Sequence, residues 1–287
     1  MTAALTTVSN PAARRTGAPG VPTGVARLRW VVADTLTVTK RNLIAYTRTP
    51  EALFFSTLQP IMFVLLFRYV FGGAIPISGH LSYIDYLMAG IFVQSVAFGG
   101  IGAAVGLAED LQKGLIERFR ALPMARSAVL AGRTTADLAR NVFVVLLMTG
   151  VGAAVGFDFP NGALNFIYAA ALALLFSYAL LWGFALVGLL ASNSETAQVI
   201  AFPILFPLIF ASPAFVQTRT MPSWLRTFAN DQPIGVLVNA IRSLMVGPRP
   251  QLGLQDTGGH VLAALLWCAG FLVVLAPLAV WRYRRST

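Results

Sequence analysis

The chain has 287 residues, 57% of them apolar and only 11% charged, and its mean hydropathy is +0.72. Water-soluble domains carry about 25% charged residues, so this composition excludes one and points to lipid. A formal charge of +10 would signal nucleic acid in a soluble chain; in a membrane protein basic residues report topology instead, and no nucleic-acid partner is expected.

The first 24 residues are rich in Thr, Ala, Pro and Gly and lack an apolar core. They predict a disordered cytosolic tail and no cleavable signal peptide. Over 25–49, Leu28, Val32, Leu36, Leu43 and Tyr46 share one helical face, with Arg27, Lys40, Arg41 and Arg48 elsewhere. That pattern predicts an amphipathic helix lying in the membrane interface, its basic side toward anionic headgroups.

Six apolar runs without strand-like alternation follow, at about 52–71, 84–107, 138–157, 164–191, 198–216 and 261–281. Each is near the 20 residues that span a bilayer core as helix, so the expected fold is an all-α membrane protein with six transmembrane helices. Seven Lys and Arg precede the first run, six fall from Lys113 to Arg140, and three follow the last. Four lie between the fifth and sixth runs and none in the other connections, which predicts both termini inside, N-in and C-in. Arg68, near the end of the first run, is expected to snorkel.

Within the spans, Gln59 and Gln94 are the deep polar residues, suited either to hydrogen-bonding between helices or to contacting a solute. Gly102 and Gly106, like Gly152 and Gly156, have the small-xxx-small spacing of close helix packing. Pro203, Pro207 and Pro213 predict a bend in the fifth run. Cys268, the single cysteine, reads as a buried small hydrophobe.

The connection from the second to the third run holds ten charged residues between Ala108 and Arg140. Leu111, Leu115, Phe119 and Leu122 form an apolar stripe and Asp110, Lys113, Glu117 and Arg120 a charged one, with Glu109–Lys113 and Glu117–Arg120 as local pairs. A short helix over about 108–123 is predicted, ended by Pro123, with Ser127 capping a second helix that runs into the third span. Positive-inside bias explains the basic residues there, whereas the interleaved acids suit a polar protein partner. The connection at about 217–260 is too apolar for a loop. It predicts amphipathic helices that re-enter or lie on the outer face, around Trp224 and Phe228 and around Leu237, Ile241 and Leu244.

Chemistry is conspicuous by its missing signatures. The phosphate-cradling GxxxxGK(S/T) loop does not occur, and neither lysine, Lys40 or Lys113, follows a glycine. His80 and His260 form no HExxH and no GxSxG is present, so no catalytic, cofactor or metal residues are assigned. The acids nearest the spans, Asp85, Asp137, Asp158 and Glu195, map to span ends, which disfavours the alternative of an ion-coupled secondary transporter.

The segment carrying Glu117-Arg118-Phe119-Arg120, Leu122-Pro123-Met124, Arg126, Gly132-Arg133, Ala136-Asp137 and Arg140-Asn141 resembles the cytosolic loop of type-2 ABC exporter permeases, in the branch of the daunorubicin-resistance permeases. Met221-Pro222, Trp224-Leu225, Pro233 and Arg242 resemble the outer segment of that family, and the match runs from about residue 39 to the end. Where the family has Pro-Gly at the entry to the second span, this chain has Ala89-Gly90.

The resemblance implies one transmembrane domain over 50–287. It would act as the permease subunit of an exporter moving a hydrophobic or amphipathic solute outward across the cytoplasmic membrane. Two separate ABC ATPase subunits, binding ATP and Mg, would drive it beside a second permease, identical or paralogous. It implies further that the inner helix is the coupling helix, with Glu109, Lys113, Glu117, Arg118 and Arg120 as polar contacts, Leu115 and Phe119 as anchors and Pro123 as its stop. Asn193, Ser194 and Glu195 are candidates for a second inner contact. Gln59, Gln94, Phe202 and Phe206 are candidates for the translocation path, between permeases along the second and fifth spans.

Overall fold

The computed structural model describes residues 25–48, 50–72, 77, 81–115 and 126–285. Among them the regular structure is helical: α1 (Val25–Arg48), α2 (Pro50–Leu66), α3 (Tyr83–Gln112), α4 (Arg126–Ala154), α5 (Ala163–Leu190), α6 (Ser194–Phe210), α7 (Ser223–Asp231), α8 (Pro233–Val246) and α9 (Thr257–Arg285). A π-helical turn, Phe67–Phe71, continues α2. The expected tail over 1–24 lies outside the described residues.

Among the described residues, four helices are long and apolar enough to cross a membrane: α3, α4, α5 and α9, of 28 to 30 residues. They coincide with the second, third, fourth and sixth predicted runs. The first and fifth runs fall on shorter apolar helices, Thr57–Phe71 and Ser194–Phe210. Both contain proline, Pro60 in one and Pro203 and Pro207 in the other, each removing a backbone donor from the ladder. The fifth run was expected to stay helical to 216, but α6 ends at Phe210. Its last apolar residues, with Pro213, fold into a buried turn in which the Ser212 hydroxyl donates to Ile209 O at 2.5 Å.

Helix α3 is the axis of the bundle, buried along most of its length. It packs against α5, α6, α4 and α8, while α9 covers α5. One hydrophobic core follows α3, and a second lies where Leu107, Leu130, Trp182, Leu189 and Tyr283 meet. That second core marks the basic end of the bundle, with Lys113, Arg133 and the arginines of the α9 terminus nearby. Helix α9 presents Leu262, Leu266, Val273 and Val274 outward, as a lipid-facing helix does without cost.

Helix α1 forms where the amphipathic pattern predicts it, but it has a protein partner. Its small and polar face, Val38, Thr39 and Asn42, is buried against α4. A methyl group on Gly132 would stand 2.6 Å from Val38 Cβ, so glycine sets this approach, and Thr39 Oγ1 donates to Gly132 O at 3.1 Å. Val32 and Leu36, on the predicted apolar face, stay exposed. The helix therefore has two distinct faces, one packed on α4 and one exposed and apolar.

The predicted helix over 108–123 is corrected at its start. Residues 108–112 are the last turn and a half of α3, which ends ahead of Gly114, whose φ of 64° suits glycine. Helix α4 begins at Arg126, one residue ahead of the expected cap, and runs unbroken into the third apolar run. At the end opposite the basic one, α7 and α8 appear as the pattern requires. Trp224 and Phe228 are exposed together, Leu237 and Ile241 are buried, and Gln232 caps α8 by accepting from Ile234 N at 2.8 Å.

Candidate functional site

A cavity of about 250 Å³ opens in the bundle between α2, α3, α4 and α6. Gln59, Gln94 and Phe202, singled out as translocation-path residues, line it together, and Phe206 lies one helical turn along, its ring 5.3 Å from that of Phe202. Ser95, Gly99, Arg140, Asn141 and Gln198 join them, none foreseen from the sequence as site residues. Arg140 carried a signal, because a charge inside an apolar helix persists only with a partner or a task.

Several polar atoms here lack protein partners. Gln94 is 3% exposed with Oε1 unpaired, Ser95 Oγ is unpaired, and Arg140 keeps Nε free while its Nη2 donates to Gly99 O at 2.7 Å. Asn141 is satisfied, donating to Ser177 Oγ at 2.7 Å. Buried polar atoms without partners cost about 1–3 kcal/mol each, and these three lie behind the cavity wall, shielded from it.

The glycine run of α3 explains how α4 seats its charges. A methyl group on Gly99 would meet the Asn141 amide, one on Gly102 the Arg140 guanidinium at 3.0 Å, and one on Gly106 the Arg133 guanidinium. The small-residue spacing thus serves side-chain seats on α4. Backbone approach occurs elsewhere, where a methyl on Gly188 would lie 2.6 Å from Ala104 O. For Gly152 the neighbour is the Met88 methyl, at 2.5 Å.

Toward the basic end, Arg133 pairs with Asp110 and lies 3.5 Å from Asp137, and Asp137 accepts the Tyr46 hydroxyl. This chain of contacts ties α1, α3 and α4 together, with Asp137 1% exposed. Burial, and next the Asp137 carboxylate, push the Tyr46 phenol well above its ordinary range, so it remains the proton donor. Asp137 lies eleven residues into α4, which starts well before the predicted third run.

Of the predicted coupling residues, Glu109 and Lys113 pair with each other at 2.6 Å in an exposed position, which holds the Lys113 ammonium above its ordinary range. Leu115 is half-buried just past the turn at Gly114. Glu117, Arg118, Phe119, Arg120 and Pro123 lie outside the described residues. Asp110, assigned to the charged stripe, is turned toward Arg133 instead. Asn193 serves as the cap of α6, its Oδ1 accepting from Thr196 N at 2.6 Å, while Ser194 and Glu195 form the first turn of that helix.

At the opposite end, Arg242 is 1% exposed, with its guanidinium 3.7 Å from the centre of the Tyr86 ring. Its Nε donates to Tyr86 O at 3.0 Å and its Nη2 to Ala214 O at 3.2 Å, locking α8 to α3 and to the turn after α6. This is the arginine that matched the resemblance, and its task is structural.

Among the described residues, a helical bundle with four helices long and apolar enough to cross a membrane defines a multi-pass membrane protein. Residues 33–246 match the ABC-2 type transporter pattern. The chain is 33% identical over 255 residues to the daunorubicin resistance ABC transporter permease protein DrrB1 of Streptomyces coeruleorubidus, covering 89% of this chain and 87% of that one. It is 28% identical over 266 residues to the probable doxorubicin resistance permease DrrC of Mycobacterium tuberculosis, covering 90% and 91%. To the putative transport permease ycf38 of Cyanophora paradoxa it is 25% identical over 216 residues, covering 74% of each. The chain belongs to the ABC-2 type transporter family and is an ABC transporter permease.

Proposed function

We propose that the chain is the membrane subunit of an exporter that moves a hydrophobic or amphipathic solute outward across the cytoplasmic membrane. Separate ATPase subunits, which hold ATP and Mg, drive it. The observation that carries this is the cavity of Gln59, Gln94, Gln198 and Arg140, roofed by Phe202, in a bundle otherwise dressed for lipid. Such a site binds a molecule with both polar and apolar parts, and the chain has no phosphate loop with which to power its movement.

In this proposal α2 with its π turn, and α6 with the turn after it, complete six crossings with both termini inside. The basic end is cytosolic, α1 lies at the inner interface, and α7 and α8 lie at the outer surface. The stretch after Gly114 meets the ATPase, two ATPases serve two permeases, and a push there reaches the cavity through the unbroken α4. The continuous helix from Arg126 past Arg140 supports this route.

The test is uptake into inverted membrane vesicles. ATP should drive it with ionophores present, and purification of the chain from its native membrane should bring an ATPase along. Transport that follows an ion gradient without ATP would make the chain a secondary transporter instead.

A further inference from the structure

Four arginines fall between the fifth and sixth apolar runs, against the bias that gathers basic residues at the other end. Arg242 has a structural task, and Arg249 donates through Nε to Val246 O at 3.4 Å. The other two, Arg219 and Arg226, line an open basin of about 740 Å³ formed by the turn after α6, helices α7 and α8, the loop at 250–253 and the start of α9.

The fold draws these two arginines together. Arg226 Nη2 donates to Arg219 O at 3.2 Å and to Met221 O at 3.1 Å, so its guanidinium is anchored on the turn that carries Arg219. Arg219 Nη1 donates to Gln251 O at 3.3 Å. Among the described residues neither arginine forms an ion pair, although Asp231, the one acid lining the basin, is near in sequence. A cleft of about 30 Å³ that shares Arg219 and Asn239 leads inward to Arg242, a third arginine without an acid partner among the described residues. Like charges gathered in one concavity repel each other and raise the local potential, and a bound anion removes that cost. Guanidinium groups match the oxygens of a phosphate in particular.

The neutral residues add a second requirement. Asn239 makes no hydrogen bond to protein among the described residues, and Asn230 keeps its amide nitrogen as a donor, since its Oδ1 accepts from Thr218 Oγ1 at 3.4 Å. Gly253 O lies 3.2 Å from His260 Nε2; a carbonyl only accepts, so Nδ1 of the neutral ring is left as an acceptor. These groups suit hydroxyls beside the phosphate. No phenyl, phenol or indole ring lines the basin to face a quaternary ammonium.

Helix α7 sets the depth. Trp224 is 72% and Phe228 44% exposed on one side of it, while Arg226 and Asn230, with the same spacing but two residues on, take the other side. An exposed Trp and Phe on a short amphipathic helix anchor at the level of lipid headgroups. Ala263 carries the basin wall onto α9, beside Leu262 and one turn from Leu266, which are 59% and 65% exposed, so an acyl chain leaving the basin meets apolar surface at once. We infer that the basin is a binding site for a hydroxylated, anionic phosphate ester, carried by a lipid headgroup or free in solution, with Arg219 and Arg226 holding the phosphate and Asn239 and His260 its hydroxyls. The inference goes beyond the proposed transport function and does not depend on it.

The full chain, purified from its native membrane with whatever accompanies it and exchanged into detergent, is titrated with palmitoyl-oleoyl phosphatidylglycerol or phosphatidylcholine, and bound lipid is counted by native mass spectrometry. Phosphatidylglycerol should bind about tenfold or more tighter than phosphatidylcholine. Arg219→Gln, at an exposed position with one long bond, should leave the fold intact and cut the preference severalfold. Arg219→Gln with Arg226→Gln should abolish it. Asn239→Leu, which leaves the charge in place, should weaken phosphatidylglycerol severalfold. Arg249→Gln, at the same end but outside the basin, should change nothing. Glycerol phosphate identifies the source: displacement of phosphatidylglycerol at equal concentration makes the soluble ester the ligand, and displacement only in large excess makes it the lipid. Equal binding of the two lipids without arginine-dependent binding of glycerol phosphate overturns the inference. So does a loss from Arg249→Gln as large as that from Arg219→Gln, which would mean general attraction by charge. Co-purification of the ATPase decides the transport reading separately.

Discussion

Replacing Asp137 tests whether α1, α3 and α4 are held together by one ionic cluster. Asp137→Ala removes a buried carboxylate that accepts the Tyr46 hydroxyl and faces Arg133. Removing one partner of a buried pair costs about 3–5 kcal/mol. Arg133 keeps Asp110, in a position 14% and 22% exposed for the two side chains, so the lower end, about 3 kcal/mol, is expected. Tyr46→Phe removes one hydrogen bond to a charged acceptor, about 1.5–3 kcal/mol, and leaves the carboxylate with Arg133.

The two residues share that bond, so the double variant should cost less than the sum by at least about 1.5 kcal/mol. Unfolding by sodium dodecyl sulfate in mixed micelles, followed by tryptophan fluorescence, reports the four stabilities of the cycle. Thr37→Val is the control: its hydroxyl is exposed and bonds only within its own helix, to Ala33 O at 2.9 Å, so its effect should stay within about 0.5 kcal/mol. A coupling between positions 46 and 137 below about 0.5 kcal/mol would refute the shared cluster, because independent sites add within that margin.

Other outcomes follow from single positions. Arg242→Met should destabilise the same unfolding transition by about 2–4 kcal/mol, since it removes the bonds to Tyr86 O and Ala214 O and the cation from the Tyr86 ring. Gly90→Ala would drive a methyl group into Ala214 O, and the yield of folded protein on gel filtration should fall sharply. Gly150→Ala meets nothing within 4 Å and should stabilise by about 0.5–1 kcal/mol through helix propensity alone.

The helices were legible because lipid imposes a length and a composition that local sequence displays. The four long runs became α3, α4, α5 and α9, and the amphipathic stretches became α1, α7 and α8. The site was half legible. Gln59 and Gln94 stand out as polar residues in apolar helices, and the structure brings them to one cavity with Phe202. Their partners were hidden by pairing at a distance: Gly99 and Asn141 are 42 positions apart and Gly106 and Arg133 are 27 apart. Spacing within α3 alone reads as backbone packing, since nothing local says that long side chains from α4 occupy the gaps. The same limit applies to Asp110, whose place on a charged stripe was overridden by Arg133. At Gly114 the conflict was between helical periodicity, which continued, and a positive φ that ends the helix.

Glu109 and Lys113 separate stability from partnership at the basic end. Their pair is exposed and one helical turn long, so it contributes little to folding, and Glu109→Lys should leave the unfolding midpoint unchanged. If this turn sits beside the surface that meets an ATPase, the charge reversal should still reduce the amount of ATPase that co-purifies. The swapped double variant, Glu109→Lys with Lys113→Glu, decides between causes. It restores the intrahelical pair with opposite polarity, so a defect that came from losing the pair would disappear. A defect that came from the charges presented to another protein would persist or deepen, because the helix end would then show each sign where the partner expects the other. Recovery of ATPase binding in the swap would therefore remove these two residues from the contact and leave the segment beyond Gly114 to carry it.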